Sequence, residues 1–253
     1  MYQSRLASSE PGLGEILFRP FDHIYIINLD ERHDRWHRIL RDLAELGITL
    51  PNDKFERFNA LKFPESLGFP TSGARGCFLS HLAVLKDALE KNFETIAIIE
   101  DDCAFELPGP ISLLGYNIAV ESEDWDLFYP GYHNVTRFQN EGSGILDVAD
   151  RYCIGGAHFY SVRKKILPSL IDHLESALSE LEAGVDREGH VDVVYTEFRA
   201  ETPGIKTLVA SPAWAFQRRT LSNVQPRRTI DQLGFMMGPM AMLRGVAGAK
   251  KSW

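Results

Sequence analysis

Three consecutive acids, Glu100, Asp101 and Asp102, end the apolar stretch TIAII. A short run of apolar, β-branched residues predicts a buried strand, and α/β sheets bind ligands beyond the carboxyl ends of their strands. If the strand continues, Glu100 and Asp102 point to one side and Asp101 to the other. Carboxylates on one side repel each other, and a hard cation such as Mn²⁺ or Mg²⁺ relieves that repulsion. A solvated strand end is the alternative, and these residues alone leave both readings open.

Polar residues also follow the stretch HIYIINL, which reads as another buried strand. Asn28, Asp30, Arg32 and Arg35 come at or after its carboxyl end. We expect them to lie on the same rim of the sheet as the three acids.

A third candidate site is the segment SGARGCFLSH. Gly73, Arg75 and Gly76 precede a predicted helix, and the N-terminus of a helix with glycines and an arginine is a plausible anion site. Such turns are also frequent without a ligand. Cys77 and His81 lie one turn apart on the helix, either as packed side chains or as ligands.

Strands and helices alternate along the chain, which predicts an α/β sheet with helices on both faces. Residues 1–20 are rich in Ser, Gly and Pro and predict a flexible arm, and residues 21–224 predict one domain. Residues 133–150 and the acidic segment DREGHVDVVYTEF are predicted to be loops. The tail, residues 225–253, is basic and partly apolar. It is predicted either to pack on the domain or to anchor the protein peripherally to the inner face of a membrane.

Composition narrows the classes of partner and compartment. The 253 residues carry a net charge of -8, which disfavours general nucleic-acid binding. The cysteines are Cys77, Cys103 and Cys153, an odd and widely spaced set that indicates a reducing compartment. Neither a signal-peptide pattern nor a membrane-length apolar run is present in the sequence, so we expect a cytoplasmic protein.

Several motifs in one order resemble glycosyltransferase family 25, the lipopolysaccharide-type sugar transferases of bacteria and the relatives that galactosylate collagen hydroxylysine. They are IYIINLDERHDR, GARGCFLSHLAVLKDALEKNFETIAIIEDD, GGAHFYSV, HVD and SPAWAFQRRTLSNV. The resemblance runs from about His23 to Val224. It implies a GT-A type nucleotide-sugar-binding sheet.

The resemblance also implies roles for individual residues. Asp102, assisted by Glu100, would bind Mn²⁺ or Mg²⁺ in the manner of a DxD motif. The donor would be a UDP-sugar, and its binding residues would be Asn28, Leu29, Arg32, Arg35, Arg75, Gly76, Ser80, His81, Glu100 and Asp101. For the GC-LSH motif, which contains Gly76, Ser80 and His81, a purely structural role stays open.

The acceptor side is predicted from the same resemblance and from side-chain chemistry. Asp192 in HVD is the first candidate for the catalytic base, followed by Glu188 and then Asp186, because a base must be separate from the metal carboxylates. Tyr132, Trp214 and Gln217 are predicted to contact the acceptor. Asn223 stands where the family usually has an acid, which leaves the acceptor specificity open.

The implied function is inverting transfer of a hexose, with galactose favoured, from a UDP-sugar to a hydroxyl of a glycan or lipooligosaccharide. The alternative is a catalytically inactive module of the same fold that binds ligands or acts as a chaperone. Phosphoryl-accepting receiver domains also end a strand in paired acids, but they are shorter and place the pair on their first strand.

Overall fold

The computed structural model describes residues 12–109, 113, 116, 120, 121, 124–133, 144–150 and 152–218. The helices that are described in full are α1 (Leu13–Phe18), α2 (His33–Glu45), α3 (Ser72–Glu90), α4 (Leu167–Glu182) and α5 (Val191–Glu201). The strands are β1 (His23–Asn28), β2 (Phe55–Asn59), β3 (Thr95–Glu100), β4 (Cys103–Phe105), β5 (Leu127–Gly131), β6 (Gly144–Asp147), β7 (Phe159–Arg163), β8 (Thr207–Ser211) and β9 (Ala215–Gln217).

The strands form one mixed sheet in the order β2-β1-β3-β7-β5-β8-β6, with β9 beside β5 and β4 beside β9. Strand β1 runs parallel to β2 and β3, whereas β7 is antiparallel to both β3 and β5. The carboxyl ends of β1, β3 and β5 therefore meet at one edge of the sheet. The chain segments that follow these strands build the candidate site.

Side chains of the central strands alternate between two apolar layers, which explains their continuous burial. On β3, Ile96 and Ile98 pack in the layer that contains α3, α4 and α5. Ala97 and Ile99 pack in the opposite layer, with α1 and α2. The predicted α/β sheet with helices on both faces is confirmed.

Part of the predicted N-terminal arm is packed. Within α1, Ile16, Leu17 and Phe18 are buried in the second layer, and the Gly14 N–H donates to the Leu46 carbonyl at 2.9 Å. The prediction of a flexible arm is therefore wrong for residues 12–20, because this short apolar triplet covers the sheet. Residues 1–11 and the tail, residues 225–253, lie outside the described residues.

Two predicted loops contain regular structure. The segment DREGHVDVVYTEF contains α5, whose Val191, Val194, Tyr195 and Phe198 are buried at helical spacing. The region 133–150 contains β6, which pairs with β8. Polar residues around both elements obscured their periodicity. Among the described helices, none is long and apolar enough to cross a membrane.

Helix α3 begins earlier than the sequence predicted. Thr71 is its N-cap, and the Thr71 Oγ1 accepts the Ala74 N–H at 3.0 Å. Gly73, Arg75 and Gly76 consequently lie inside the first turns of the helix and not before it.

Candidate functional site

Glu100 is the last residue of β3, and its side chain faces α3. Its Oε1 lies 3.1 Å from His81 Nε2 and accepts from the Cys77 thiol at 3.6 Å. Its Oε2 accepts from Gln217 Nε2 at 3.2 Å. Burial raises the pKa of Glu100, but the hydrogen bond and charge of His81, the charge of His158 and the hydrogen bond from Cys77 together lower that pKa below its ordinary value.

Asp101 and Asp102 form a turn after β3, and both meet Arg35 on α2. Arg35 Nη1 donates to Asp101 Oδ1 at 2.8 Å and to Asp102 Oδ2 at 3.0 Å. Asn28 Nδ2 donates to the other oxygen of Asp101 at 2.6 Å. The strand ends at Glu100, so the condition for an alternation through all three acids is not met.

Of the three acids, Asp102 is the one whose negative charge is least compensated by neighbouring groups. It is only 4% exposed, and its Oδ1 has no hydrogen-bond partner among the described residues. Burial and the charge of Glu100 raise the pKa of Asp102 to about 7, although Arg35 opposes that shift. The arrangement concentrates buried negative charge at a point where a cation would be stabilised.

Asn28 and Arg32 are both engaged at this rim. The amide oxygen of Asn28 accepts from Arg57 Nε and Nη2 at 2.9 and 2.6 Å. Asn28 therefore positions Asp101. Arg32 pairs with Asp34 through two contacts of 2.9 Å, and Leu29 is partly exposed beside them.

The glycine and serine of the GC-LSH motif have structural contacts. Ser80 Oγ accepts the Leu61 N–H at 2.7 Å and donates to the Gly76 carbonyl at 2.6 Å. A Cβ on Gly76 would lie 2.5 Å from the Leu61 carbonyl oxygen. Both residues thus hold the chain after β2 against α3, whereas His81 in the same motif reaches Glu100 directly.

Arg75 contacts residues other than the three acids. Its Nη2 pairs with Glu182 Oε1 at 3.3 Å, and its Nη1 donates to the Glu65 carbonyl at 3.2 Å. The guanidinium also stacks over Phe63, 4.4 Å from the ring centroid. These contacts join α3 to α4 and to the preceding loop.

Asp192 lies in the first turn of α5, at the same edge of the sheet as the acids. Its Oδ2 accepts the Gly156 N–H at 2.7 Å, and its Oδ1 accepts the Val193 N–H at 3.1 Å. Burial raises the pKa of Cys77, and the charges of Glu100 and Asp192 add to that shift. Asp192 is therefore within electrostatic range of the acidic site.

Glu188 has a different environment. It is exposed and hydrogen-bonded to His190, and this bond lowers the pKa of Glu188 while it raises that of His190. A carboxylate with a lowered pKa is a weaker proton acceptor. The contact with His190 therefore makes Glu188 a weaker candidate for the base.

Trp214 and Tyr132, the two aromatic residues predicted to contact the acceptor, have different environments. Trp214 is 4% exposed, and its ring packs edge-on against Tyr116 with centroids 4.4 Å apart. The prediction that Trp214 contacts an acceptor is wrong, because its ring fills the core. Tyr132 is partly exposed, and its hydroxyl donates to the Ala210 carbonyl at 2.9 Å.

Gln217 belongs to the acidic site. Its Nε2 lies 3.2 Å from Glu100 Oε2 and 3.4 Å from Asp102 Oδ2, and its Oε1 is 2.9 Å from His133 Nε2. The next residue, Arg218, donates its backbone N–H to the Asp102 carbonyl at 2.8 Å. Arg218 was not among the residues predicted for the site.

Buried residues of GGAHFYSV were also missed. His158 is fully buried, and burial and the neighbouring His133 lower the pKa of His158 to about 4. The Tyr160 hydroxyl lies 2.8 Å from His81 Nδ1 and 2.6 Å from the Tyr195 hydroxyl. The period-two spacing of His158 and Tyr160 was a usable signal that both side chains share one face.

Part of the chain is similar to known proteins. Residues 21–108 match the family model described as glycosyltransferase family 25 (LPS biosynthesis protein). Procollagen galactosyltransferase 1-B of Xenopus laevis is 33% identical over 129 residues, which are 44% of this chain and 21% of that protein. Inactive glycosyltransferase 25 family member 3 of Homo sapiens is 28% identical over 133 residues, 46% of this chain and 22% of that protein.

The matched region spans about a fifth of the length of these curated relatives. Among solved structures, a glycosyltransferase involved in the glycosylation of the major capsid of PBCV-1 aligns with a TM-score of 0.46 and 12% identity, over 79% of this chain and 95% of that chain. Residues 21–108, which match the model of glycosyltransferase family 25, include the three acids and the GC-LSH helix.

Proposed function

We propose that the chain is an inverting glycosyltransferase that moves a hexose, with galactose favoured, from a UDP-sugar to a hydroxyl of a glycan or lipooligosaccharide acceptor. The observation that carries this proposal is the acidic site at the end of β3. Asp102 is buried there, and its Oδ1 has no hydrogen-bond partner in the described part of the chain.

The donor set fits a hard divalent cation, Mn²⁺ or Mg²⁺. Carboxylate oxygens are the ligands these ions prefer, and Asp102 with Glu100 assisting would hold one. When bound, the ion offsets the negative charge of the donor diphosphate and of the departing UDP. Arg35 stabilises Asp101 and Asp102 from the α2 side.

Asp192 is proposed to take the proton of the acceptor hydroxyl. Each of its oxygens accepts one backbone N–H, which leaves each with a further lone pair. The acceptor oxygen then forms its bond to the anomeric carbon as the bond to the diphosphate breaks. A single displacement of this kind inverts the configuration at that carbon.

Names of the relatives support the finer parts of the proposal. Procollagen galactosyltransferases suggest galactose as the sugar, and the description of the family suggests a lipopolysaccharide-type acceptor. A cytoplasmic location and peripheral membrane contact through residues 225–253 stay predictions.

A catalytically inactive module is the second candidate, because one matched relative is described as inactive. Hydrolysis of UDP-galactose, UDP-glucose and UDP-N-acetylglucosamine, with and without Mn²⁺, separates the two. An active enzyme should hydrolyse one donor preferentially and only with the metal. Binding of UDP without any turnover, in the presence of candidate acceptors, would favour the inactive module.

The role of Asp192 is tested in the same assay once a donor and an acceptor are found. Asp192→Asn should lower the transfer rate by at least about a hundredfold, since general base catalysis contributes about 10²–10⁴-fold. Asp172→Asn removes an exposed acid on α4 and should leave the rate unchanged. Full activity of a folded Asp192→Asn protein would exclude Asp192 as the base.

A further inference from the structure

Cys77 and His81 are two residues of metal-binding type that contact Glu100. They lie on the opposite side of Glu100 from Gln217. Cys77 and His81 are one turn apart on α3, so their side chains share a face of the helix. The Cys77 thiol, the His81 imidazole and a Glu100 carboxylate oxygen all lie within 4.8 Å of one another.

Both separations from Glu100 match the ligand shell of a small tetrahedral ion. Cys77 Sγ is 3.6 Å and His81 Nε2 is 3.1 Å from Glu100 Oε1. Zinc bonds of about 2.3 Å to sulfur and about 2.0–2.1 Å to nitrogen place tetrahedral ligand atoms roughly 3–4 Å apart. Small movements of these side chains would therefore be enough to enclose an ion.

His81 Nδ1, the ring nitrogen that does not face Glu100, has the hydrogen-bond partner that a metal-binding histidine needs. His81 Nδ1 is 2.8 Å from the Tyr160 hydroxyl, which is itself 2.6 Å from the Tyr195 hydroxyl. When Nδ1 carries the proton and donates it to Tyr160, the lone pair of Nε2 faces Glu100. An outer hydrogen bond of this kind fixes the tautomer and ring orientation of metal-binding histidines.

We propose that Cys77, His81 and Glu100 bind one thiophilic divalent cation of the Zn²⁺ class. A thiolate and an imidazole favour Zn²⁺ over Mg²⁺, and the charges of a thiolate and a carboxylate neutralise a dication. Binding releases the thiol proton of Cys77 to solvent. Cys77 is partly exposed, which gives an ion a route to the site.

This site shares Glu100 with the one proposed for Mn²⁺ or Mg²⁺ but uses the other oxygen of its carboxylate. The Oε1 of Glu100 faces Cys77 and His81, whereas its Oε2 faces Gln217, which also contacts Asp102. One carboxylate thus separates a site with sulfur and nitrogen ligands from a site with only oxygen ligands.

Cobalt is a spectroscopic substitute for zinc that tests the proposal. The chelator-treated protein should bind one Co²⁺ per chain with a thiolate-to-metal charge-transfer band in the near ultraviolet. Cys77→Ser should abolish the band, whereas Cys153→Ser, which alters another partly exposed cysteine, should retain it. Absence of the band from the wild type, or its retention in Cys77→Ser, would overturn the proposal.

A second measurement uses the unmodified chain, so its result does not depend on whether Cys77→Ser folds. Zn²⁺ should slow the alkylation of Cys77 by at least about tenfold, followed by peptide mass spectrometry, and should not protect Cys153. Equal alkylation of Cys77 with and without Zn²⁺ would also overturn the proposal. Asp102→Asn should retain the cobalt band, so a failure of the transferase proposal can be told apart from a failure of this one.

Discussion

Asp101 and Asp102 are adjacent, but their charges are balanced differently. Asp101 accepts from both Asn28 and Arg35, so each of its oxygens has a strong donor. Asp102 shares Arg35 and has a longer contact of 3.4 Å with Gln217. At the scale of single residues, Asp101 is suited to hold the turn and Asp102 to bind a cation.

Gly76 is predicted to be intolerant of any side chain. Gly76→Ala would place a methyl group 2.5 Å from the backbone oxygen of Leu61. Overpacking of this kind should lower the free energy of unfolding by about 1–3 kcal/mol, measured by urea denaturation. Gly109→Ala is the matched control, because a Cβ at Gly109 meets nothing within 4 Å. An equal effect of the two substitutions would contradict the structural role of Gly76.

At the scale of elements, helix α3 supports the site. Gly76 and Ser80 on this helix pack against the chain after β2. Cys77 and His81 on the same helix contact Glu100. The helix therefore fixes the end of β3 relative to the chain that follows β2. Its N-terminus is fixed in turn by Thr71.

Thr71→Ala should destabilise the protein by about 1 kcal/mol, because the N-cap oxygen that accepts the Ala74 N–H is lost. Thermal unfolding monitored by circular dichroism measures the change. Thr71→Ser keeps an oxygen at the same position and should retain most of the stability. If Thr71→Ser were as unstable as Thr71→Ala, the cap would not be the cause.

The start of α5 provides a pH-dependent prediction. The ion pair raises the pKa of His190 above 6.5 and lowers that of Glu188 below 4.5. The stabilisation from this ion pair is therefore fully present only between pH 4.5 and pH 6.5. It is lost as the pH rises through the raised pKa of His190 or falls through the lowered pKa of Glu188.

An NMR titration of the His190 ring protons should give a pKa above 6.5. Glu188→Gln should return that pKa toward its ordinary value, whereas Glu180→Gln, which alters an acid paired with Arg187, should leave it unchanged. An unchanged His190 pKa in Glu188→Gln would show that the pair is absent in solution.

At the scale of the whole molecule, Arg199 joins α5 to the far edge of the sheet. Its side chain is fully buried and donates to Thr207 Oγ1 at 2.8 Å. It also donates to the backbone carbonyls of Tyr152, Val148 and Ala149. One side chain thus fixes the loop after β6 against β8 and the helix that carries Asp192.

Arg199→Met should lower the free energy of unfolding by about 3 kcal/mol or more, because each buried polar group left unpaired costs ~1–3 kcal/mol. Urea denaturation gives the value, and Arg41→Met, a substitution on the exposed side of α2, should change it little. A loss below that of Arg41→Met would mean that water replaces these hydrogen bonds without cost.

Local patterns were sufficient to predict β1, β3 and the acids that follow β3, because an apolar run that stops at charged residues is visible in a short window. The partners of those acids were not visible. Gln217 and Arg218 lie more than a hundred positions away and reach the acids only through the pairing of β9 with β4. Trp214 was misjudged for the same reason, since its burial against Tyr116 depends on the packing of distant elements.

We propose that Asp102 holds a cation that binds a nucleoside diphosphate. Isothermal titration of UDP into the wild type, Asp102→Asn and the exposed control Asp53→Asn, with Mn²⁺ or with a chelator, measures this role. We predict that the wild type and Asp53→Asn bind UDP at least about tenfold more tightly with Mn²⁺, about 1.4 kcal/mol, and that Asp102→Asn loses this gain. Equal Mn²⁺-dependent affinity in a folded Asp102→Asn protein would contradict the claim.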